Sequence, residues 1–515
     1  MCALKGEIVM KISDNKKTLK TPPKKPSAST MPQPLPALHH CRVVALGASA
    51  GGLASFERFF RAAPVDSGLA YVLISHMDPN KPSLMVELIA KYTAMPVIAA
   101  GQGMAALPDH VYVCPPDKGL EISGGYLRLI EAQDRAGPRT VIDHFMRSLA
   151  QDLSDKAIGI VLSGTGTDGS LGLAAIKDAG GVTLAESPET AQHSGMPLGA
   201  IRSRAADVVL PAQEMPGHLL RYAHASRLGL DESTGDFRSA AHLNAILSIL
   251  RARTHHDFRP YKTGTILRRI ARRMGLLHLE KMPAYIAYLR KHPVEVTKLF
   301  DDLLIGATRF FREPEAYQQL EQQAIARLLR DKKEDEPLRV WVAACATGEE
   351  AYSIAMLLAE RLQAAEQHRS LQLFATDIDE AALSFARTAV YPDNIAADVS
   401  PERLRRWFSK EDNSYRVAKP IRESVVFATQ NLIKDPPFSK LDLISCRNLL
   451  IYLEPEAQQR AIALFHFALK EGGYLLLGNS ETIGQASELF VPVSKKWRLY
   501  QRVGAQRLGL DPLSA

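Results

Sequence analysis

Between residues 41 and 225, short apolar runs alternate with segments of helical periodicity. CRVVALGA predicts a buried strand and GGLASFERFFRAA a helix, and the same order returns at LAYVLISH and KPSLMVELIAKYT. AIGIVLSG and DGSLGLAAIKDAGG form a third pair that ends on glycines, a usual helix stop. GVTLAES and AADVVL predict further strands. Strands that alternate with helices indicate a doubly wound parallel sheet.

The pattern changes twice in the second half of the chain. Residues 241–330 have helical periodicity and no strand signal, which predicts a small all-α domain. Residues 331–505 return to strand, turn and helix in LRVWVAACATGEEAYSIAMLLAERL and again in LQLFATDIDEAAL, with later strands in LDLISCRNLLIYL and GGYLLLGNSE. This order predicts a second, Rossmann-like α/β domain.

The segments outside these three units are short and polar. Residues 1–40 carry seven Lys, one Asp and one Glu among many Pro and Ser, a composition that predicts a disordered tail. Residues 226–240 are predicted to be a linker, and residues 506–515 a C-terminal tail. Most of the net charge of +7 therefore lies in the first tail, which does not favour nucleic-acid binding.

The spacing of the cysteines and the hydropathy of the sequence indicate the cellular compartment of the protein. The five cysteines are scattered and form no C-x-x-C pair, so neither a disulfide framework nor a metal site is expected. No apolar run reaches the roughly 18–20 residues of a membrane span, and no secretory signal is evident at the start of the sequence. We expect a cytoplasmic protein without direct membrane insertion.

Three polar residues stand at the ends of predicted strands in the first α/β unit. Ser49 in GASAGG follows the first strand, His76 ends LAYVLISH, and Asp168 follows AIGIVLSG. Because parallel strands end at one edge of a sheet, we expect these side chains to lie together. A histidine that a carboxylate orients can activate a serine as a nucleophile. Taken singly, they also suit a phosphate-binding turn, a loop histidine and a helix N-cap.

The motifs GASAGG, ISHMDP and SGTGTDGS resemble the catalytic domain of the chemotaxis protein-glutamate methylesterases, the CheB family, over residues 41–225. The resemblance implies that Ser49 is the nucleophile, His76 the base and Asp168 the orienting carboxylate. It implies hydrolysis of glutamyl methyl esters, with glutamine deamidation as a further activity. The family usually carries an N-terminal receiver domain; here a tail precedes the catalytic unit, so phosphorylation control in cis is not expected.

The turn after the first strand of the second α/β domain carries two candidate binding residues. Gly348 allows a tight turn, and Glu350 follows at the start of a helix, where it can accept a hydrogen bond from a cationic amino group. Asp377 ends the next strand, where a carboxylate binds ribose hydroxyls in many nucleotide-binding folds. The alternatives are a first-turn helix acid for Glu350 and a loop carboxylate for Asp377.

Five blocks occur in order, GATRFFREPEAY, ATGEEAYS, FATDIDEAAL, SCRNLLIYL and GGYLLLGNSE, and they resemble the CheR-type glutamate O-methyltransferases over residues 240–502. The resemblance implies S-adenosylmethionine as the cofactor. Tyr452 follows the CRN block and is expected to line the methyl-transfer site. The positions that match the family's cofactor contacts are Thr308, Arg312, Glu350, Asp377, Asn431, Leu432, Asn448 and Leu449.

Four arginines in ILRRIARR lie largely off the apolar stripe of their predicted helix, which is typical of a solvated face: Arg268, Arg269, Arg272 and Arg273. In the family that the chain resembles, the corresponding helix faces the receptor, whose methylation helices are acidic. The resemblance thus implies a second interpretation, in which these arginines hold the receptor. Segment 407–424 is short and lacks a Gly-rich loop, so it is not expected to bind a receptor tail peptide.

These features together predict a bifunctional chemotaxis-type enzyme that methylates glutamate side chains of receptor proteins and hydrolyses the products. The expected partners are methyl-accepting chemotaxis-type receptors or related signalling proteins, with a histidine kinase or response regulator as a further candidate. Two alternatives stay open. One is a signalling scaffold in which one or both domains are catalytically silent, and the other is an enzyme pair that acts on small-molecule carboxylates.

Overall fold

The computed structural model describes residues 41–76, 84–131, 140–229, 239–306, 308–333 and 336–504. The tails predicted at residues 1–40 and 506–515 lie outside these residues, as does most of the predicted linker at 226–240. Among the described residues, no helix combines the length and the apolar character that crossing a bilayer requires.

The first part of the chain folds around a seven-stranded parallel sheet, which confirms the prediction of a doubly wound α/β domain. The elements in chain order are β1 (Arg42–Ala48), α1 (Gly52–Ala62), β2 (Leu69–Ser75), α2 (Met85–Ile89), β3 (Val97–Ala99), β4 (Met104–Ala105), β5 (Val111–Val113), β6 (Lys118–Ser123), β7 (Tyr126–Glu131), α3 (Val141–Leu153), β8 (Ala157–Val161), α4 (Ser170–Asp178), β9 (Val182–Glu186), α5 (Gly195–Arg202), β10 (Val208–Leu210) and α6 (Met215–Gly229). The sheet order is β10-β9-β8-β1-β2-β5-β3, and β4, β7 and β6 form a small antiparallel sheet.

Helices cover both faces of this sheet, as the apolar strands require. Alternate residues of β1 point to opposite sides, since Val43 packs in the cluster that contains α3 and α4 while Val44 packs in the cluster that contains α1 and α6. A strand buried on both faces reads as a continuous apolar run, which explains CRVVALGA. The carboxyl ends of β1, β2 and β8 consequently lie side by side at one edge.

Four helices follow, as the sequence predicts for the all-α domain: α7 (Ala240–Thr254), α8 (Thr263–Leu276), α9 (Met282–Lys291) and α10 (Pro293–Leu303). The apolar stripe of α8 enters the core of this helical domain through Ile266, Ile270 and Met274. Leu276, at the end of α8, instead joins the core cluster of the first sheet, so the helical domain packs directly against the first α/β domain, residues 41–229, which is also called the esterase-like half below.

The remaining chain forms a mixed sheet with a Rossmann-like arrangement, as predicted. Its elements are α11 (Pro314–Gln319), α12 (Ala326–Asp331), β11 (Leu338–Ala343), α13 (Glu349–Ala364), β12 (Leu371–Asp377), α14 (Glu380–Thr388), β13 (Val390–Pro392), α15 (Pro401–Trp407), β14 (Phe408–Glu411), β15 (Ser414–Val417), α16 (Lys419–Glu423), β16 (Val425–Thr429), β17 (Leu441–Cys446), α17 (Pro455–Ala468), β18 (Leu469–Leu477), β19 (Phe490–Ser494) and β20 (Leu499–Arg502). The order β16-β12-β11-β17-β18 is parallel, and β20 and β19 add an antiparallel edge.

A small antiparallel sheet of β13, β15 and β14 is inserted between β12 and β16. Segment 407–424, which is short and lacks a Gly-rich loop, supplies two of its three strands. The residues that follow β13 reach the first α/β domain, where Asp398 pairs with Arg147. That the segment does not bind a receptor tail peptide stays a prediction.

The prediction that four arginines of α8 form a docking surface is wrong for three of them. Arg269, Arg272 and Arg273 are buried, and Arg268 is exposed. The side chain of Arg269 donates to the carbonyl oxygens of Lys177 and Asp178 at the end of α4. The esterase-like half covers this face of the helix, so these three side chains are not available to a receptor.

Arg272 joins two domains through a buried ion-pair network. Its side chain is 2% exposed, pairs with Asp207 of the first α/β domain and Asp302 of α10, and donates to the carbonyl oxygen of Gly181 at 2.7 Å. Burial by itself would raise the pKa of Asp207, but Arg272 and Lys177 outweigh it and hold the pKa below its ordinary value. The pair therefore contributes stability above the ordinary aspartate range and loses it as pH falls through the folded pKa.

Replacing Arg272 by Ala is expected to destabilise the protein by about 3–5 kcal/mol, because two carboxylates would stay buried without their cation. Thermal and urea unfolding at pH 7 measure this loss. Arg268→Ala is the matched control on the same helix, and it is expected to change stability by less than about 0.5 kcal/mol. Equal effects of the two substitutions would show that the buried pair does not hold the domains together.

Candidate functional site

The three residues predicted to form a catalytic triad lie together at the carboxyl edge of the first sheet. Ser49 follows β1, His76 follows β2, and Asp168 precedes α4. The Ser49 Oγ lies 3.4 Å from His76 Nδ1, and His76 Nε2 lies 2.8 Å from Asp168 Oδ2. When Nε2 carries the ring proton and donates a hydrogen bond to Asp168, Nδ1 is free to accept the serine proton. The serine contact is long, as such contacts often are without substrate.

Asp168 is held by the first turn of α3. Its carboxylate accepts hydrogen bonds from the backbone N–H groups of Ile142, Asp143 and Gly169 at 2.9–3.0 Å, besides the bond from His76. The N-terminus of a helix stabilises negative charge because its first N–H groups and its dipole point there. Asp168 is thus fixed in position as the hydrogen-bond acceptor for the histidine, and 5% of its surface is exposed.

The turn around Ser49 depends on a neighbouring glycine. The Ser49 N–H donates to the carbonyl oxygen of Ser163 at 3.0 Å, which ties the nucleophile turn to the loop after β8. Gly164 follows in that loop, and a Cβ there would lie 2.1 Å from Met196 Sδ and 3.0 Å from Ser49 Cβ. A side chain at position 164 would therefore force Met196 to move and would press against Ser49. Met196 lies in the first turn of α5.

A large cavity opens at the carboxyl edge of the second sheet, between that sheet and the helical domain. It encloses about 1040 Å³, including space open to solvent. All eight predicted cofactor residues line it, and so does Tyr452: Thr308, Arg312, Glu350, Asp377, Asn431, Leu432, Asn448, Leu449 and Tyr452. Most of these residues lie at or just after the ends of β11, β12, β16 and β17, which brings positions far apart in sequence together, while Thr308 and Arg312 come from the segment between α10 and α11.

Glu350 lies on the first turn of α13 with a largely buried carboxylate that is 13% exposed. Burial raises its pKa, and the Arg447 guanidinium lowers it in part. One carboxylate oxygen accepts a hydrogen bond from the Ser445 hydroxyl at 2.6 Å, and the other lies 4.0 Å from Arg447 Nη1. A carboxylate that lines the cavity in this way can accept a hydrogen bond from an ammonium group.

Asp377 closes the nucleotide-binding turn from the end of β12. Its carboxylate accepts hydrogen bonds from the backbone N–H groups of Ala346 at 2.8 Å and Asp379 at 3.0 Å. Burial raises its pKa. A carboxylate has about four acceptor positions, so capacity remains for ribose hydroxyls. Gly348 shapes the same turn, since its φ is +93° and a Cβ there would lie 2.8 Å from Ala386 Cβ.

Sequence reasoning missed two residues of the cavity wall and two residues that support it. Arg447 and Tyr261 line the cavity directly. The Glu481 carboxylate accepts backbone hydrogen bonds from Gly478, Asn448 and Leu450 at 2.7–2.9 Å and so holds the CRN loop. His256 Nδ1 lies 3.1 Å from the Asn431 side chain. Arg447 and Glu481 stand inside the SCRN and GNSE blocks, so the sequence held a signal for these two.

The residues around the cavity fit S-adenosylmethionine in charge and position. Glu350 provides an acceptor for an amino group and Asp377 one for a ribose, on adjacent strand ends of a parallel sheet. The adenine ring would face a wall of mixed polar and apolar character, which is formed by Asn431, Leu432 and Ile433.

Comparisons with known proteins match each part of the chain to a family. Residues 44–219 match the model for the CheB methylesterase, residues 241–304 the all-alpha domain of the CheR methyltransferase, and residues 306–499 its SAM-binding domain. The chain is 31% identical to chemotaxis protein methyltransferase 2 of Vibrio cholerae over 43% of its own length and 79% of the relative's.

Two further similarities cover other parts of the chain. An uncharacterised 104.1 kDa protein of Rhodobacter capsulatus is 36% identical over 84% of this chain, which spans about half (47%) of that relative's length. The crystal structure of the Thermotoga maritima CheB methylesterase catalytic domain is 29% identical, with a TM-score of 0.33, over 35% of this chain and 97% of that one.

Replacing Asp377 by Ala is expected to weaken S-adenosylmethionine binding by about 1–3 kcal/mol, because the ribose and the Ala346 N–H both lose an acceptor. Asp377→Asn keeps one acceptor oxygen and should fall between Ala and wild type. Isothermal titration calorimetry measures the affinities, with Glu456→Ala at an exposed position of α17 as the control. Unchanged affinity in Asp377→Ala would remove this residue from the cofactor site.

Proposed function

Because the chain belongs to the CheR family of chemotaxis methyltransferases and carries a CheB methylesterase domain before it, we propose that it forms and hydrolyses methyl esters on glutamate side chains of chemoreceptor-type proteins. The two enzyme domains support a role in chemotaxis-type methylation and demethylation, and S-adenosylmethionine is the cofactor of the second. Glutamate specificity and the receptor substrate are the parts that we propose.

One observation carries this proposal. A serine, a histidine and a carboxylate meet at the carboxyl edge of one sheet, and a cavity lined by Glu350 and Asp377, among others, opens at the corresponding edge of the other. The two reactions that these arrangements support are opposite in sense, since one forms an ester and the other breaks it. A substrate common to both is therefore a carboxylate and its methyl ester, and a glutamate side chain meets that requirement.

Hydrolysis follows from the order of contacts in the triad. Ser49 Oγ attacks the ester carbonyl carbon while its proton passes to His76 Nδ1, and Asp168 stabilises the resulting imidazolium. Methanol leaves with the proton from His76, and the glutamyl group stays esterified to Ser49. His76 then takes a proton from water, the hydroxide attacks this second ester, and glutamate and free Ser49 are restored.

Methyl transfer needs no general base, because a glutamate carboxylate is already ionised near pH 7. When bound, S-adenosylmethionine supplies a methyl group attached to a positively charged sulfur. Glu350 and Asp377 would hold its polar ends, and Tyr452 and Arg312, which line the same cavity, would orient the acceptor. The contribution of these residues is positioning and exclusion of water.

The same triad chemistry extends to glutamine. Attack of Ser49 on a glutamine side chain would release ammonia in place of methanol and give the same acyl intermediate, so we include deamidation in the proposal. Receptors of this class work with histidine kinases and response regulators, and we propose these proteins as further partners. A cytoplasmic location stays a prediction.

Ser49→Ala is expected to lower ester hydrolysis by at least about 1,000-fold and to leave methyl transfer unchanged, because the nucleophile and the cofactor cavity use separate residues. Chemoreceptor-containing membranes are labelled with methyl-tritiated S-adenosylmethionine and the protein, and volatile methanol is then counted. Ser203→Ala, an exposed serine of the same half, is the control.

Three results would contradict the proposal. Methanol release by Ser49→Ala within about tenfold of wild type would exclude Ser49 as the nucleophile. Absence of both activities in the wild type would favour a scaffold with silent domains. Label in small carboxylic acids but not in membrane proteins would favour a small-molecule substrate.

A further inference from the structure

A segment of the methyltransferase half lies against the esterase half beside Asp168. This docking segment, residues 393–398, follows β13 of the small inserted sheet. Asp393 accepts a hydrogen bond from the Thr167 hydroxyl at 2.6 Å, and Thr167 directly precedes Asp168. Asp398 pairs with both terminal nitrogens of Arg147 on α3, at 3.0 and 3.1 Å. The docking segment therefore contacts both the residue that precedes Asp168 and the helix whose first turn holds Asp168.

The central contact of the docking segment involves two buried side chains. Asn394, 1% exposed, donates through Nδ2 to Asp143 Oδ2 at 2.6 Å. The other carboxylate oxygen of Asp143 accepts the backbone N–H of Gly172 at 2.6 Å. The backbone N–H of Asp143 itself donates to Asp168 Oδ1. In this series of hydrogen bonds, Asp143 is the one residue between Asn394 and Asp168, the acid of the triad.

Asp143 has an unusual electrostatic position, since it is buried beside a second carboxylate. Burial raises its pKa, and the charge of Asp168 raises it further, while Arg147, Gly172 and Asn394 lower it. Because the Asp143 carboxyl group is buried away from water, each hydrogen bond that it accepts lowers the free-energy cost of its burial. The methyltransferase half provides one of the two hydrogen-bond donors, Asn394, and through Asp398 it also holds the Arg147 guanidinium, whose charge lowers the pKa of Asp143.

We propose that Asn394 is a positioning residue of the esterase, acting through Asp143 on the first turn of α3 that holds Asp168. This inference rests on the proposed ester hydrolysis by Ser49. The esterase site is then complete when the docking segment of the methyltransferase half is in place.

Few hydrogen bonds separate Asn394 from the catalytic histidine. Asp168 Oδ2 accepts both the Ile142 N–H and His76 Nε2, so any tilt of the first turn of α3 changes the orientation of the histidine. A misplacement of about 1 Å between reacting groups can cost up to about 100-fold in rate. A contact that served packing alone would act on stability and would not select one of the two activities.

Asn394→Ala in the full-length chain tests this. It is expected to lower kcat for methanol release from a glutamyl γ-methyl ester peptide by about tenfold, with KM within about twofold, because orientation is lost and substrate contacts are not. Labelling of Ser49 by a fluorophosphonate should slow by the same factor. Methyl transfer to receptor-containing membranes should stay unchanged. Glu402→Ala, exposed on the adjacent α15, is the control.

A charge exchange distinguishes the specific contact from general disturbance of the fold. Asn394→Asp places a second carboxylate against Asp143 and is expected to be slower than Asn394→Ala. Adding Asp143→Asn restores a donor and acceptor pair in the opposite direction, so the double variant should recover to within about threefold of wild type. Thermal melts of all variants are measured in parallel.

The outcomes separate this inference from the proposed function. Wild-type protein that neither labels at Ser49 nor releases methanol overturns both. Wild-type activity with equal labelling in Asn394→Ala overturns the positioning role alone. Loss of hydrolysis that follows the melting temperature across variants, or an equal loss of methyl transfer, also overturns it. Slow labelling at unchanged melting temperature, with recovery in the double variant, supports it.

Discussion

The arrangement of this chain depends on the buried charge of Arg272. Its guanidinium has almost no access to water, so it requires carboxylates, and these come from two domains as Asp207 and Asp302. Once this requirement is met, α8 lies with its arginine face against the end of α4. The same association places the second sheet so that its inserted segment reaches α3. The position of a charge that cannot be solvated thus decides which surfaces of both enzymes remain open.

The sheets and their functional edges were predictable, because the signals lie within short stretches of sequence. A continuous apolar run such as CRVVALGA specifies a strand buried on both faces, and a polar residue at its end therefore lies at the sheet edge. Ser49, His76 and Asp168 come together for this reason, as do Glu350 and Asp377. Helix α3 escaped notice although VIDHFMRSLAQDL has helical periodicity, with Ile142, Phe145, Met146 and Leu149 buried.

The failures share one physical cause, which is that local patterns do not record what another domain covers. Periodicity correctly separates the apolar stripe of α8 from its arginines, but a polar face is solvated only if nothing packs on it. Arg269 and Arg272 are covered by a domain about 90 residues earlier in the chain. Asn394 lies 251 residues from Asp143, and no spacing rule connects them.

The residues that link the two halves lie close to both sites. The Tyr391 hydroxyl in β13 donates to the carbonyl oxygen of Thr347, in the turn that shapes the cofactor cavity, at 2.7 Å. Two and three residues later the docking segment contacts Thr167 and Asp143 beside the triad. One short stretch of chain therefore touches the cofactor turn at one end and the support of Asp168 at the other. The two opposed activities share no catalytic residue, and the inserted sheet with its docking segment is an element that is in physical contact with the surroundings of both sites.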